Sequence, residues 1–100
     1  MKTMYVRIIA NTRAGYEIDK AIVYKEYKEY GIAITRYPAH IHYALTDIET
    51  GLNAGKSFKK LKDAKSFMDH TEEVNFINWY NAVQKARKTT RYESLKIKVH

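Results

Sequence analysis

Cysteine is missing from this chain, which removes disulfide frameworks, thiolate metal sites and cysteine nucleophiles together. Proline occurs once, at Pro38, and glycine four times, at Gly15, Gly31, Gly51 and Gly55. Linkers and low-complexity segments draw heavily on those residues, so their scarcity predicts one domain over residues 1–100, with no internal repeat. Long apolar runs are also lacking. Lys2 follows Met1 and Arg7 comes soon after, and no stretch approaches the ~7–15 apolar residues of a signal-peptide core or the ~20 of a membrane span. The expectation is a cytoplasmic protein with no membrane partner.

The hundred residues are 45% hydrophobic and 29% charged, the balance of a folded chain rather than a disordered one. Charge is the strongest global signal: 18 Lys and Arg against 11 Asp and Glu give +7 and a pI near 9.6. Residues 1–50 carry net +1 and residues 51–100 carry +6. That asymmetry points to acidic partners, DNA or RNA first, through a surface formed by the second half; solubility alone is the competing explanation.

One short motif invites a specific chemistry. "TGLNAGKSF", Thr50 to Phe58, places Gly51, Gly55, Lys56 and Ser57 in an order close to a Walker A loop. Such a loop needs four residues between its glycines so that backbone N–H groups wrap phosphate. Here there are three, Leu52, Asn53 and Ala54, and restoring the spacing would put Thr50 where the first glycine belongs. A nucleotide hydrolase also needs several crossover units of about 30 residues each, which this length does not supply. The preceding "DIETG" is turn chemistry, so the motif reads as a hairpin, with a positive φ at Gly51 and a relaxed approach to a helix at Gly55.

Periodicity sketches an α+β fold: a small antiparallel sheet packed by two consecutive helices, about 58–69 and 72–88, with N- and C-terminal strands. Met4, Val6 and Ile8 alternate with Tyr5, Arg7 and Ile9 as a strand. Residues 16–30 are open between a helix ending at Gly31 and a tyrosine-rich strand. Ile32 to Tyr37, His40 to Asp47 and a run ending at Phe58 form a meander of two or three strands. Phe58, Leu61, Ala64 and Met68 then recur at helical spacing behind Ser57 as an N-cap. The next helix, capped by Asp69 or Thr71 with Glu72 and Glu73 in its first turn, carries the stripe Phe76, Trp79, Tyr80, Val83 and Ala86 and centres the core on Trp79. Leu95, Ile97 and Val99 alternate with Lys96, Lys98 and His100 as an edge strand.

On that outline Lys56, Lys59, Lys60 and Lys62 crowd a helix start, where the macrodipole is positive and each exposed cation costs about 0.3 kcal/mol. Free backbone N–H groups and cations together favour an anion, and nucleic-acid phosphate is the anion expected, with Arg91 and Lys98 extending the surface. A plain solvated lysine face is the alternative. Lys85, Arg87 and Lys88 sit at a helix end, where electrostatics alone places cations. Tyr24, Tyr27, Tyr30, Tyr37 and Tyr43 could stack on bases, although tyrosine on a sheet is more often core. His40 and His42 share a strand face without a third metal ligand nearby. No carboxylate pair, nucleophile–base pattern or cofactor loop is spaced for catalysis, so the expectation is a non-enzyme with no cofactor and no metal.

The stretch Gly31 to His70, with "HYALTDIETG" running into "GKSFKKLKDAKSF", resembles a strand-turn-strand-helix unit in small proteins of phages, plasmids and integrative elements of Gram-positive bacteria. It is also similar, more loosely, to the arm-binding domains of tyrosine recombinases, whose helix often opens with a pattern like Phe58 to Ala64. That resemblance implies a three-stranded sheet laid in the DNA major groove and backed by the helix. Two functions stay open: a small basic nucleic-acid-binding protein of a mobile element, or a protein-binding accessory factor or inhibitor.

Overall fold

Residues Tyr16–Tyr27 form one continuous strand in the computed structural model, which describes residues 2–9, 15–38 and 40–89. A strand suits the second half of this segment, where Ala21 and Tyr27 are buried and Ile22, Val23 and Tyr24 half-buried, while residues 17–20 stay exposed, Ile18 by 42%. The elements in order are β1 (Thr3–Ile9), β2 (Tyr16–Tyr27), β3 (Ile32–Arg36), β4 (Tyr43–Asp47), β5 (Asn53–Phe58), α1 (Leu61–Asp69) and α2 (Val74–Thr89). All five strands join one antiparallel sheet in sequential order. The α+β class with two consecutive helices is therefore as expected, and the meander is longer than expected by the pair β1 and β2. The proposed C-terminal strand lies outside the described residues.

The length of β2 lets it serve two neighbours. Its first half pairs with β1, Tyr16 opposite Ile9, and its second half pairs with β3, Tyr27 opposite Ile32. A register shift between Val23 and Lys25 marks a bulge, and a second shift lies between Ala44 and Thr46 on β4. Bulges bend strands and sharpen their twist. The sheet curls until β1 reaches the turn between β4 and β5, where the Arg7 N–H donates to the Gly51 carbonyl at 2.8 Å.

The two faces of the sheet bury different residues. Tyr27, Ile32, Ile34 and Leu45 meet Ala64 and Met68 of α1 and Phe76, Trp79 and Val83 of α2 in the main core. Phe67 sits among aromatic rings, with centroids 5.6 Å from Phe58, 5.7 Å from Phe76 and 5.3 Å from Trp79. Trp79 is 9% exposed, and its indole N–H donates to the Ala54 carbonyl of the edge strand at 2.8 Å, so α2 also covers part of that edge. On the other face Val6, Ala21, Ala33, Thr35 and Thr46 are buried under the curl.

Several boundaries differ from the sequence outline. Both helices begin two or three residues late: Phe58 and Ser57 belong to β5, Lys60 is the N-cap of α1, and Glu72 and Glu73 precede α2. The apolar stripe of α2 stops at Val83; Ala86 is exposed because Arg87 takes over the contact with the sheet. His40 and His42 lie in the turn before β4 and are exposed. No described helix is long and apolar enough to cross a membrane.

Candidate nucleic-acid interface

Lys56, Lys59, Lys60 and Lys62 come together where β5 passes into α1, but they do not share one helical turn. Along β5 the odd residues Asn53, Gly55 and Ser57 are exposed, while Ala54, Lys56 and Phe58 are half-buried on the helix side. Gly51 and Gly55 both have positive φ, 73° and 81°; at Gly55 this bends the strand rather than opening a helix. The chain from Asn53 to Phe58 is thus a strand where a phosphate loop would need a turn leading straight into a helix.

Lys56 extends over the Phe67 ring, its ammonium 5.0 Å from the centroid, so an aromatic face holds the cation at the edge of the core. Lys59 and Lys60 are exposed in the two-residue bend after β5, and Lys62 is exposed on the second residue of α1. Lys65, one turn further on, adds a cation that sequence reasoning had not selected; its spacing of three from Lys62 was the available signal. From residue 56 to 65 these five lysines face one acid, Asp63. The ion pairs among the described residues are Lys2 with Glu26 at 2.6 Å and Arg87 with Asp47 at 3.5 Å, and neither neutralises this cluster.

The start of α1 is also uncapped. Lys60 is extended (φ −122°, ψ 140°) and makes no side-chain cap, since an ammonium offers no acceptor. The N–H groups of Asp63 and Ala64 both turn to the Lys60 carbonyl, at 3.2 and 3.3 Å. The amides of Leu61 and Lys62 come too early in the helix for an intrahelical carbonyl. Asp63, in the first turn, offsets part of the cost that the macrodipole imposes on Lys60 and Lys62.

The other selected residues have different settings. Arg91 and Lys98 lie outside the described residues. Lys85 and Lys88 are exposed on the last turns of α2. Arg87 is a tether: it donates to the carbonyls of Tyr30 at 2.7 Å and Gly31 at 3.3 Å, and pairs with Asp47. Asp47 in turn accepts from the Glu49 N–H and the Thr50 hydroxyl, so one carboxylate organises the "DIETG" turn and holds α2.

The tyrosines considered for base stacking are engaged within the fold. Tyr24 packs edge-on against Tyr43 at 5.1 Å, and Tyr30 against Phe76 and Tyr80 at 5.3 and 5.1 Å. Tyr27 is buried, and desolvation, then the Asp69 charge, pushes its hydroxyl up to about 12. The Tyr37 hydroxyl donates to Asp19 at 2.5 Å, which holds that carboxyl below its ordinary range and the phenol above its own. Among the described residues no three His, Asp or Glu side chains are grouped to hold a metal ion. β3, β4, β5 and α1 follow one another in the chain, and Ala33, Thr35 and Thr46, on the face away from α1, are buried under the curl of β1 and β2.

No family model matches the chain, and neither a curated protein nor a solved structure is found to be similar to it.

Proposed function

We propose that this protein binds nucleic acid without catalysis, through phosphate contacts made by Lys59, Lys60 and Lys62, with Lys56 contributing from the edge of the core. The observation that carries this reading is the unneutralised cluster: five lysines and one acid in ten residues, none of the five in an ion pair among the described residues, around an uncapped helix start. Retaining like charges there costs stability, and a phosphate backbone relieves both the repulsion and the uncapped amides. The buried far face of β3 and β4 argues for binding along the β5–α1 rim rather than by a sheet laid flat in a groove. Contacts of this kind position a backbone and read no bases, so affinity is expected to be independent of sequence.

The test is anisotropy of two labelled duplexes of unrelated sequence, titrated at low salt and again with added salt. Similar affinity for both, with a slope of log K against log salt near −3.6 for about four phosphates, supports the reading. Absence of binding at low salt removes it. Exposed Val74 and Ile77, on consecutive turns of α2 and 69% and 44% exposed, favour a second reading as a protein-binding accessory factor, to which that negative result would turn.

A further inference from the structure

The curl of the sheet encloses a cavity of about 320 Å³ on the side away from the helices. Val6 and Ile8 of β1, Ala21 of β2 and Ala44 of β4 give it apolar walls. Thr35 and Thr46, each 3% exposed, line it as well, and their hydroxyl oxygens lie 2.8 Å apart. Two hydroxyls carry two protons, and the bond between them uses one. The second proton has no acceptor among the described residues and is left to water or to a ligand in the cavity. Valine at both positions would fill the same space and need no acceptor. Exposed His40, His42 and Asn53 line it together with Tyr37 and with Arg7, whose guanidinium is engaged by the Thr50 carbonyl and the Tyr16 ring, so the cavity reaches solvent on a polar side.

From this geometry we infer that the cavity is a binding site for a small, mostly apolar molecule whose single hydrogen-bond acceptor takes the spare proton of the Thr35–Thr46 pair. Its volume lies near the lower end of ligand pockets, about 300–1,000 Å³, which suits a molecule with one ring. The acceptor is a neutral carbonyl. A carboxylate would give up its hydration for one hydroxyl and for a guanidinium already engaged by the Thr50 carbonyl and the Tyr16 ring, an exchange that a neutral carbonyl avoids. The site is separate from the lysine rim, and its occupancy does not depend on nucleic-acid binding.

Acetophenone, a single ring with a neutral carbonyl, is a suitable probe, with benzoate and toluene as comparisons. Methyl NMR of the whole chain is expected to show shifts at Val6, Ile8, Ala21 and Ala44 on adding millimolar acetophenone, with weaker effects from both comparisons. The double variant Thr35→Val/Thr46→Val is expected to keep or raise the parent Tm while weakening acetophenone at least tenfold. Ala44→Leu, which fills the cavity without touching the hydroxyls, is expected to abolish the shifts and leave the fold intact. No methyl shifts with acetophenone would overturn the inference and leave the cavity to water. Benzoate binding more tightly, shifts that survive Ala44→Leu, or a double variant with lower Tm and unchanged affinity would overturn it too.

Discussion

At the scale of single residues, two charged side chains that periodicity assigns to the surface tie distant elements together. Arg7 falls at a polar position of an alternating strand, yet it is 4% exposed, donates to the Thr50 carbonyl at 3.0 Å and lies over the Tyr16 ring. Its backbone partner is more than forty positions away, so no local pattern announces it. Arg87 is similar. A position near a helix C-terminus explains a cation there by dipole alone, whereas its geometry shows a tether to the β2–β3 turn and to Asp47. Arg87→Met keeps the stem and removes the donors, leaving two carbonyls and a nearly buried carboxylate short of a partner. A loss of about 1–3 kcal/mol in urea unfolding is expected; an unchanged midpoint would reduce the tether to a surface contact.

His70 supplies a pH signature at the same scale. Its Nδ1 lies 2.7 Å from the Ser66 carbonyl at the end of α1, and that bond, aided by Glu73, Glu72 and Asp69, raises its pKa above the ordinary 6.5. A raised folded-state pKa adds stability that is fully present below the unfolded value and lost as pH rises through the folded one. The Tm advantage of the parent over His70→Gln should therefore be largest near pH 5.5, shrink as pH rises past 6.5 and be gone above the folded-state pKa. A gap that widens with pH would reverse the assignment.

At the scale of elements, the core helix was legible and the junction before it was not. Phe76, Trp79 and Val83 recur at helical spacing, and all three are buried. Trp79→Ala should cost about 3–5 kcal/mol, since it removes a large buried ring and leaves the Ala54 carbonyl without its donor. An equilibrium unfolding curve within 1 kcal/mol of the parent, on the order of an exposed-site change, would contradict that packing. The β5–α1 boundary was obscured because Ala54, Lys56 and Phe58 share a period of two while Phe58, Leu61 and Ala64 share a helical one. Lys56 hid the strand, since a lysine half-buried over a ring reads as a solvent position.

The uncapped start of α1 makes a paired prediction about this element. Lys60→Ser gives the N-cap an acceptor for an early amide, and about 1 kcal/mol of added stability is expected. The same change removes a proposed phosphate contact, so nucleic-acid affinity should fall as stability rises. Denaturant midpoints and binding isotherms on one preparation test both; greater stability with undiminished affinity would separate Lys60 from the interface.

On the scale of the whole molecule, the fold class followed from periodicity, whereas the curl did not, because it depends on two bulges and on one long strand serving two partners. That curl buries one face of the sheet and leaves the lysine rim as the dense positive feature among the described residues. The net charge of +7 supplies long-range attraction to any polyanion, so affinity alone does not distinguish the rim from the overall field. The number of counterions displaced does. The most direct measurement is the salt slope of duplex binding for the parent and for Lys59→Gln/Lys60→Gln, with the fold of the variant checked by circular dichroism. The account predicts about −3.6 for the parent and about −1.8 for the variant, two phosphate contacts fewer. Equal slopes and equal low-salt affinities would contradict it, and the lysines of the rim would then be a solvated face.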